Sequence, residues 1–290
     1  MATTGIAPLI VIVGPTASGK TALAVSIAQQ HGGEIICADS RTIYKDMNIG
    51  TAKPTHAEQK LVPHWGLDLV SPGDRFSAAD FKRYADQKIE EIRSRGHVPI
   101  LVGGTGLYID AVIFDYQFGG PLDQQLRDRL RQMDLEQLHA FCEKQGIALP
   151  ENEKNKRYVI RTIEQSNRLK LRKPEPIKNT FIVGIATDKL LLRTRIAQRT
   201  EHLFENGVVA EATMLGEKYG WDNEAMTASI YPIARQYAQG DLSLEEAFEK
   251  NNIADWRLAK RQLTWLRRNT FIQWLSLDGA QKYISSVLAK

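Results

Sequence analysis

Gly14-Pro15-Thr16-Ala17-Ser18-Gly19-Lys20-Thr21 satisfies the spacing G-x-x-x-x-G-K-[ST] at every position. Glycines at both ends let a loop wrap with its N–H groups inward, and a helix starting there adds its positive end. Such a segment holds a phosphate chain. Lys20 can then reach the terminal phosphate oxygens, and the Thr21 hydroxyl can hold a Mg²⁺ that bridges them. Ordinary residue frequencies give roughly 0.01 chance matches in a chain of this size. The pattern does not say whether the phosphates belong to a nucleotide or to another diphosphate ester.

Two further groups fall where the same crevice should be. The apolar run Glu34 to Ala38 ends in Asp39-Ser40, which places a carboxylate at a strand end. An Asp there serves as metal anchor, general base or cap of the next turn. Val98 to Val102 runs into Gly103-Gly104-Thr105-Gly106, whose glycines permit close backbone approach and whose threonine offers a hydroxyl. By spacing alone a tight turn explains it equally well.

The elements that must position these groups are legible as an alternation. Leu9 to Val13, Ile35 to Ala38, Val98 to Val102 and Phe181 to Ala186 have the length of buried strands, and segments of helical period separate them. Such alternation predicts an α/β fold, a mostly parallel sheet flanked by helices with ligands at the carboxyl ends of its strands. Helices are expected at Thr21 to Gln30, Gln124 to Met133, Leu135 to Gln145 and Leu190 to Glu205, the last stopped at Asn206-Gly207. Between about Pro121 and Lys178 strand-like runs vanish. The chain therefore divides into a core of residues 1–121 and 179–290 and a small helical insertion domain at 122–178.

Charge follows the same division. The 290 residues carry 38 Lys+Arg against 34 Asp+Glu, a net +4 that points to no polyanionic partner. Lys154 to Lys178, however, holds nine Lys/Arg against Glu164 and Glu175, a net +7, so the other 265 residues sum to −3. A local excess of this size attracts a phosphate backbone, although most charge runs are solvated faces. In Trp256 to Arg268, helical spacing puts Trp256, Ala259, Leu263 and Leu266 on one face and Arg257, Arg261, Thr264 and Arg268 on another. That basic face suits either an RNA path or the diphosphate.

Other classes are disfavoured. No apolar run approaches the roughly 18 to 20 residues of a membrane helix, and the N-terminus lacks a signal-peptide pattern, so a cytoplasmic protein with no membrane partner is expected. Cys37 and Cys142 have neither metal nor redox spacing and read as reduced thiols. His56 and His64 read as local hydrogen-bonding groups, and Tyr44 and Trp65 as core aromatics rather than base-stacking platforms.

Taken in order, GPTASGKT (14–21), DSRTIYKDMNIGTAKP (39–54), PHWGLDLVSP (63–72), FSAADF (76–81), LVGGTGLYI (101–109) and AKRQLTWLRR (259–268) resemble the tRNA dimethylallyltransferases, or tRNA isopentenyltransferases, over nearly the whole chain. The resemblance implies a P-loop NTPase-like core and transfer of a five-carbon group from dimethylallyl diphosphate to N6 of the adenosine 3′ to a tRNA anticodon. Pyrophosphate and Mg²⁺ would be held by residues 14–21, with Thr21 on the metal. Asp39 would be the general base and Thr105 would orient the substrates. The tRNA anticodon loop would meet Asp39, Ser40, Arg41, Thr42, Thr105, Arg127, Arg157 and Arg161, on a monomer.

The chain departs from the family pattern at several of these places. Thr42 stands where Gln is frequent, Tyr158 where an arginine is usual, Ser229-Ile230-Tyr231 where Ile-Gly-Tyr is expected, and Asp255-Trp256 where Thr-Arg is expected. Two other readings fit the loop: a small-molecule P-loop kinase or adenylate prenyltransferase, and a non-catalytic RNA-binding relative. The basic stretch disfavours the first, since a small acceptor needs no broad cationic surface. The joint presence of Lys20, Thr21, Asp39 and Thr105 disfavours the second.

Overall fold

Leu9–Val13, LIVIV, has no polar side chain on either face, and a strand of that kind is stable only when both faces are covered. In the computed structural model, which describes residues 6–118, 123–166 and 172–289, it is the buried strand β1. The chain continues through helix α1 (Lys20–His31), β2 (Gly33–Ala38), α2 (His56–Leu61), β3 (His64–Trp65), α3 (Ala78–Ser94), β4 (Val98–Gly103) and α4 (Gly106–Ile113). After α5 (Gln124–Gln132), α6 (Leu135–Lys144) and α7 (Lys156–Gln165) come β5 (Thr180–Ile185), α8 (Lys189–Glu205), α9 (Val208–Tyr219) and a 3-10 turn at Ala225–Thr227. Helices α10 (Ile230–Ala238) and α11 (Leu244–Leu266), strand β6 (Gln273–Leu275) and α12 (Leu277–Leu288) follow.

The six strands form one sheet, order β3-β2-β4-β1-β5-β6, and every neighbouring pair is parallel. All carboxyl ends therefore share one edge, and Val13, Ala38, Gly103 and Ile185 end side by side there. Alternate residues Ile10, Ile12, Ile35, Cys37, Ile100, Val102, Val183 and Ile185 face α1 and α12 in one apolar cluster. Helices α3 and α4 pack beside β2 and β4. Strands β3 and β6 carry too few apolar residues to be read from sequence; they extend the two edges of a sheet already formed by the longer strands.

The chain divides into two compact units, with 114–175 set apart from 1–113 and 176–290. The smaller unit has its own core: Leu130, Leu138, Cys142, Val159, Ile160 and Ile163 are buried together from α5, α6 and α7. Both cysteines are free and buried. No helix among the described residues is long and apolar enough to cross a membrane.

The end of β4 tolerates no side chain. A Cβ on Gly103 would fall inside the carbonyl oxygen of Ala38, the residue before Asp39. Gly103→Ala must push β4 away from β2, and overpacking of this kind costs about 1–3 kcal/mol. Denaturant unfolding should report that loss, together with reduced activity.

Candidate active site

The phosphate-loop segment leaves β1 and curls back into α1 through two left-handed residues, Ala17 at φ 60° and Gly19 at φ 90°. Gly19 is also the N-cap of α1 and brings no side-chain cap, so side chains leave the first N–H groups of the helix open to an anion. Ser18 Oγ is fully buried and among the described residues has no hydrogen-bond partner. Lys20 Nζ folds back to donate to the Pro15 carbonyl at 3.2 Å. Burial pushes the Lys20 ammonium down to about 8; the Asp39 carboxylate pulls the other way, and the Arg199 guanidinium adds to the effect of burial. Thr21, half-buried, is on the first turn of α1.

Strand β2 delivers Asp39 to the same edge. Its Oδ1 accepts the Arg41 backbone N–H at 2.8 Å, closing a local turn; among the described residues Oδ2 accepts no hydrogen bond. The cap role and an available carboxylate oxygen thus coexist. Thr105 joins β4 to this turn: its Oγ1 accepts the Ser40 N–H at 3.1 Å, and its own N–H donates to the Ala38 carbonyl at 3.3 Å. Thr42 is 6% exposed, and among the described residues its hydroxyl has no hydrogen-bond partner. Arg41 turns to the 3-10 segment, donating to the carbonyl of Glu224 at 2.7 Å and to Thr227 Oγ1 at 3.2 Å.

The loop that follows is held by two buried ions. Glu211 of α9 accepts the N–H groups of Asn48, Ile49 and Gly50 at 2.7–2.9 Å and the Tyr231 hydroxyl at 2.9 Å. Burial, reinforced by the Glu211 carboxylate, raises the Tyr231 phenol and keeps it a donor. Lys53 donates to the Tyr44 carbonyl, Asn48 Oδ1 and Asp68 Oδ1. Tyr44 is buried, and the Trp65 indole donates to the buried Glu34, so neither is presented to a base. His64 hydrogen-bonds the Val62 carbonyl.

Three groups at the phosphate loop come from helices far along the chain and were not singled out from sequence. Arg195 of α8 donates to the Ser18 carbonyl at 3.2 Å, and Arg199, one turn on, donates to Thr16 Oγ1. Gln262 of α11 accepts the Thr16 N–H at 2.8 Å, and its amide lies so close to Gly104 that a Cβ there would collide with it. The i, i+4 spacing of Arg195 and Arg199 is a usable signal, but a helix of mixed charge looks the same on any solvated surface. The rest of α11 matches its pattern: Ala259 and Leu266 are buried and Arg257 and Arg261 exposed, while Arg268, also exposed, lies in the turn just beyond the helix.

In the 114–175 unit, Arg127 Nε lies 3.1 Å from the buried Glu164, tying α5 to α7. Arg157 and Arg161 are on the exposed side of α7, opposite Val159, Ile160 and Ile163. Arg168 and Lys170 of the basic stretch are outside the described residues.

A phosphate loop, a strand-end carboxylate and a threonine bridging two strand ends form one cluster at the carboxyl edge of a parallel sheet. Comparison with known proteins places the chain as a whole. The family model for IPP transferase matches residues 42–269. The tRNA dimethylallyltransferase of Limosilactobacillus fermentum is 38% identical over 298 residues, covering 98% of this chain and 97% of the relative. That of Bacillus velezensis is 37% identical over 288 residues, covering 93% and 91%. The full-length tRNA isopentenylpyrophosphate transferase of Bacillus halodurans superposes with a TM-score of 0.73 at 33% identity, covering 97% of each chain. With similarity of this depth over nearly its whole length, the chain belongs to the tRNA dimethylallyltransferase family.

Proposed function

We propose that the protein transfers a dimethylallyl group from dimethylallyl diphosphate to N6 of the adenosine 3′-adjacent to the tRNA anticodon, with Asp39 as general base. The observation that carries the reading is Asp39 itself: one oxygen is fixed by the Arg41 N–H and the other is unengaged, on the strand edge that also ends in the phosphate loop. Attack by N6 on the allylic carbon forms a C–N bond and breaks the C–O bond, whose electrons leave with pyrophosphate. The exocyclic nitrogen becomes acidic as it bonds to carbon, and the Asp39 carboxylate takes its proton. General-base assistance of this kind contributes about 10² to 10⁴ in rate. Thr105, bound to Ser40, keeps the turn that aims Asp39.

The loop fits a departing diphosphate. Lys20, a start of α1 without a side-chain cap and a Ser18 hydroxyl unpartnered among the described residues meet at this segment, and Arg195 and Arg199 reach it as well. A Mg²⁺ held by Thr21 would neutralise charge on the leaving group. Arg157 and Arg161 supply a cationic face for the anticodon arm, with Arg127 engaged through Glu164 in holding the helix that carries them. Ser40 and Thr42 flank the base. The reading includes a monomer, working in the cytoplasm where its tRNA acceptor is.

The test incubates protein, Mg²⁺ and unmodified tRNA with labelled dimethylallyl diphosphate or with γ-labelled ATP. Prenyl label in tRNA supports the reading. Label confined to free AMP, or transfer of phosphate, overturns it in favour of a small-molecule transferase; RNA binding without transfer favours a non-catalytic relative. Charge reversal at Arg161 and Arg168 should weaken tRNA binding and flatten its salt dependence, as removal of phosphate contacts requires. An unchanged salt slope in filter binding would remove the insert from RNA contact.

A further inference from the structure

Asp255 is 5% exposed on α11, and the reaction as described does not use it. Its Oδ2 lies 3.4 Å from Arg199 Nη1, and its Oδ1 accepts the Ser229 hydroxyl at 3.4 Å. The same Arg199 nitrogen donates to Thr16 Oγ1 of the phosphate loop, while the buried Arg199 Nε has no hydrogen-bond partner among the described residues. One turn away, buried Thr200 and Asn251 are bonded at 2.8 Å, and Thr200 donates to Asn252 at 2.7 Å. Asp255 is therefore the rung nearest the phosphate loop in a polar ladder joining α8 to α11. Beside it, Trp256 and Ala17 join the apolar cluster of Leu192, Ile196 and Ala259, and the Arg193 guanidinium lies over the indole at 4.6 Å.

Energetics separate this rung from the others. Thr200 and Asn251 are neutral and fully buried, and their 2.8 Å hydrogen bond links the two helices without burying a charge, although Asn251 Oδ1 has no partner among the described residues. A buried carboxylate with two contacts of 3.4 Å is a poor stabiliser, because desolvating the charge offsets most of what such long contacts return. What it does supply is direction. An arginine side chain loses considerable rotamer entropy when fixed, and a guanidinium already aimed at the loop need not lose it when an anion arrives.

We propose that Asp255 is a positioning residue that holds Arg199 against the phosphate loop before the diphosphate binds, acting on donor affinity only through that guanidinium. The proposal rests on the reading of residues 14–21 as a diphosphate site, and the experiment separates the two. Pyrophosphate with Mg²⁺ is titrated calorimetrically into wild type, Asp255→Ala, Arg199→Ala and the double variant, alongside tRNA affinity and thermal midpoints. Asp255→Ala should weaken pyrophosphate about tenfold and Arg199→Ala more, and in the double variant the Asp255 change should add nothing, as a coupled pair requires. Asp255→Asn, which keeps an acceptor oxygen and loses the charge, should remain within about threefold of wild type if orientation is the role. KM for the prenyl donor should follow pyrophosphate, with KM for tRNA and the thermal midpoint unmoved.

Effects that multiply in the double variant, or tighter pyrophosphate binding in Asp255→Ala, overturn the positioning role and leave the diphosphate site standing. Failure of wild type to bind pyrophosphate overturns both. Asp255→Leu, branched at the same carbon and unable to hold a guanidinium, gives the same reading where the alanine variant is too unstable to titrate.

Discussion

Asp39→Ala lowers turnover by about 10² or more and leaves tRNA binding nearly unchanged, because a general base acts in the transition state and contributes little to ground-state affinity. The structure adds a control. Since Oδ1 closes the turn onto Arg41, an alanine removes both the base and the turn. Asp39→Asn restores an acceptor for the Arg41 N–H but cannot take a proton. Single-turnover rates with labelled donor should therefore be equally low for both variants. Turnover regained by asparagine would make Asp39 a structural cap and strike it from the chemistry.

Lys20→Ala is expected to reduce kcat/KM for the donor by about 10² to 10³, the scale on which a single oriented donor to developing negative charge contributes. The depressed ammonium adds a pH signature. With Lys20 at about 8, the charged form is present below that value and lost above it. Donor kcat/KM should then fall about tenfold per pH unit above 8, and this limb should vanish in Lys20→Ala. Folding stability responds with the opposite sign. An unfolded chain keeps the proton to about 10.5 while the folded one releases it near 8, so this residue's contribution to stability improves as pH rises between the two. A limb that persists in Lys20→Ala would assign it to another group.

The groups legible in the sequence are those whose role is local. Residues 14–21 are contiguous, Asp39 directly follows the four apolar residues Ile35 to Ala38, and Thr105 comes two residues after β4, made visible by Val98 to Val102. Arg199 meets Thr16 from 183 positions away and Gln262 meets it from 246, so no window of sequence contains the contact. The same reason hid β3 and β6, whose two and three residues become strands only because β2 and β5 present an open edge. Arg41 and Arg127 illustrate the converse. Each is visible in sequence as a charge, yet packing directs Arg41 onto the Glu224 and Ala225 carbonyls and Arg127 onto Glu164.

The sheet order has a consequence for the nascent chain. Strand β1 lies between β4 and β5, but β5 is made only after residues 114–175 have been synthesised. Once Val98–Gly103 has emerged, Leu9–Val13 can pair on one side, and its other edge must then wait for Thr180–Ile185. At about 5–20 residues per second that wait is roughly 4–15 s, during which five consecutive apolar residues show an open edge to their surroundings. Chains arrested anywhere in that interval are templates for self-association, and translation speed through residues 104–180 becomes a determinant of how much active enzyme a cell obtains from each message.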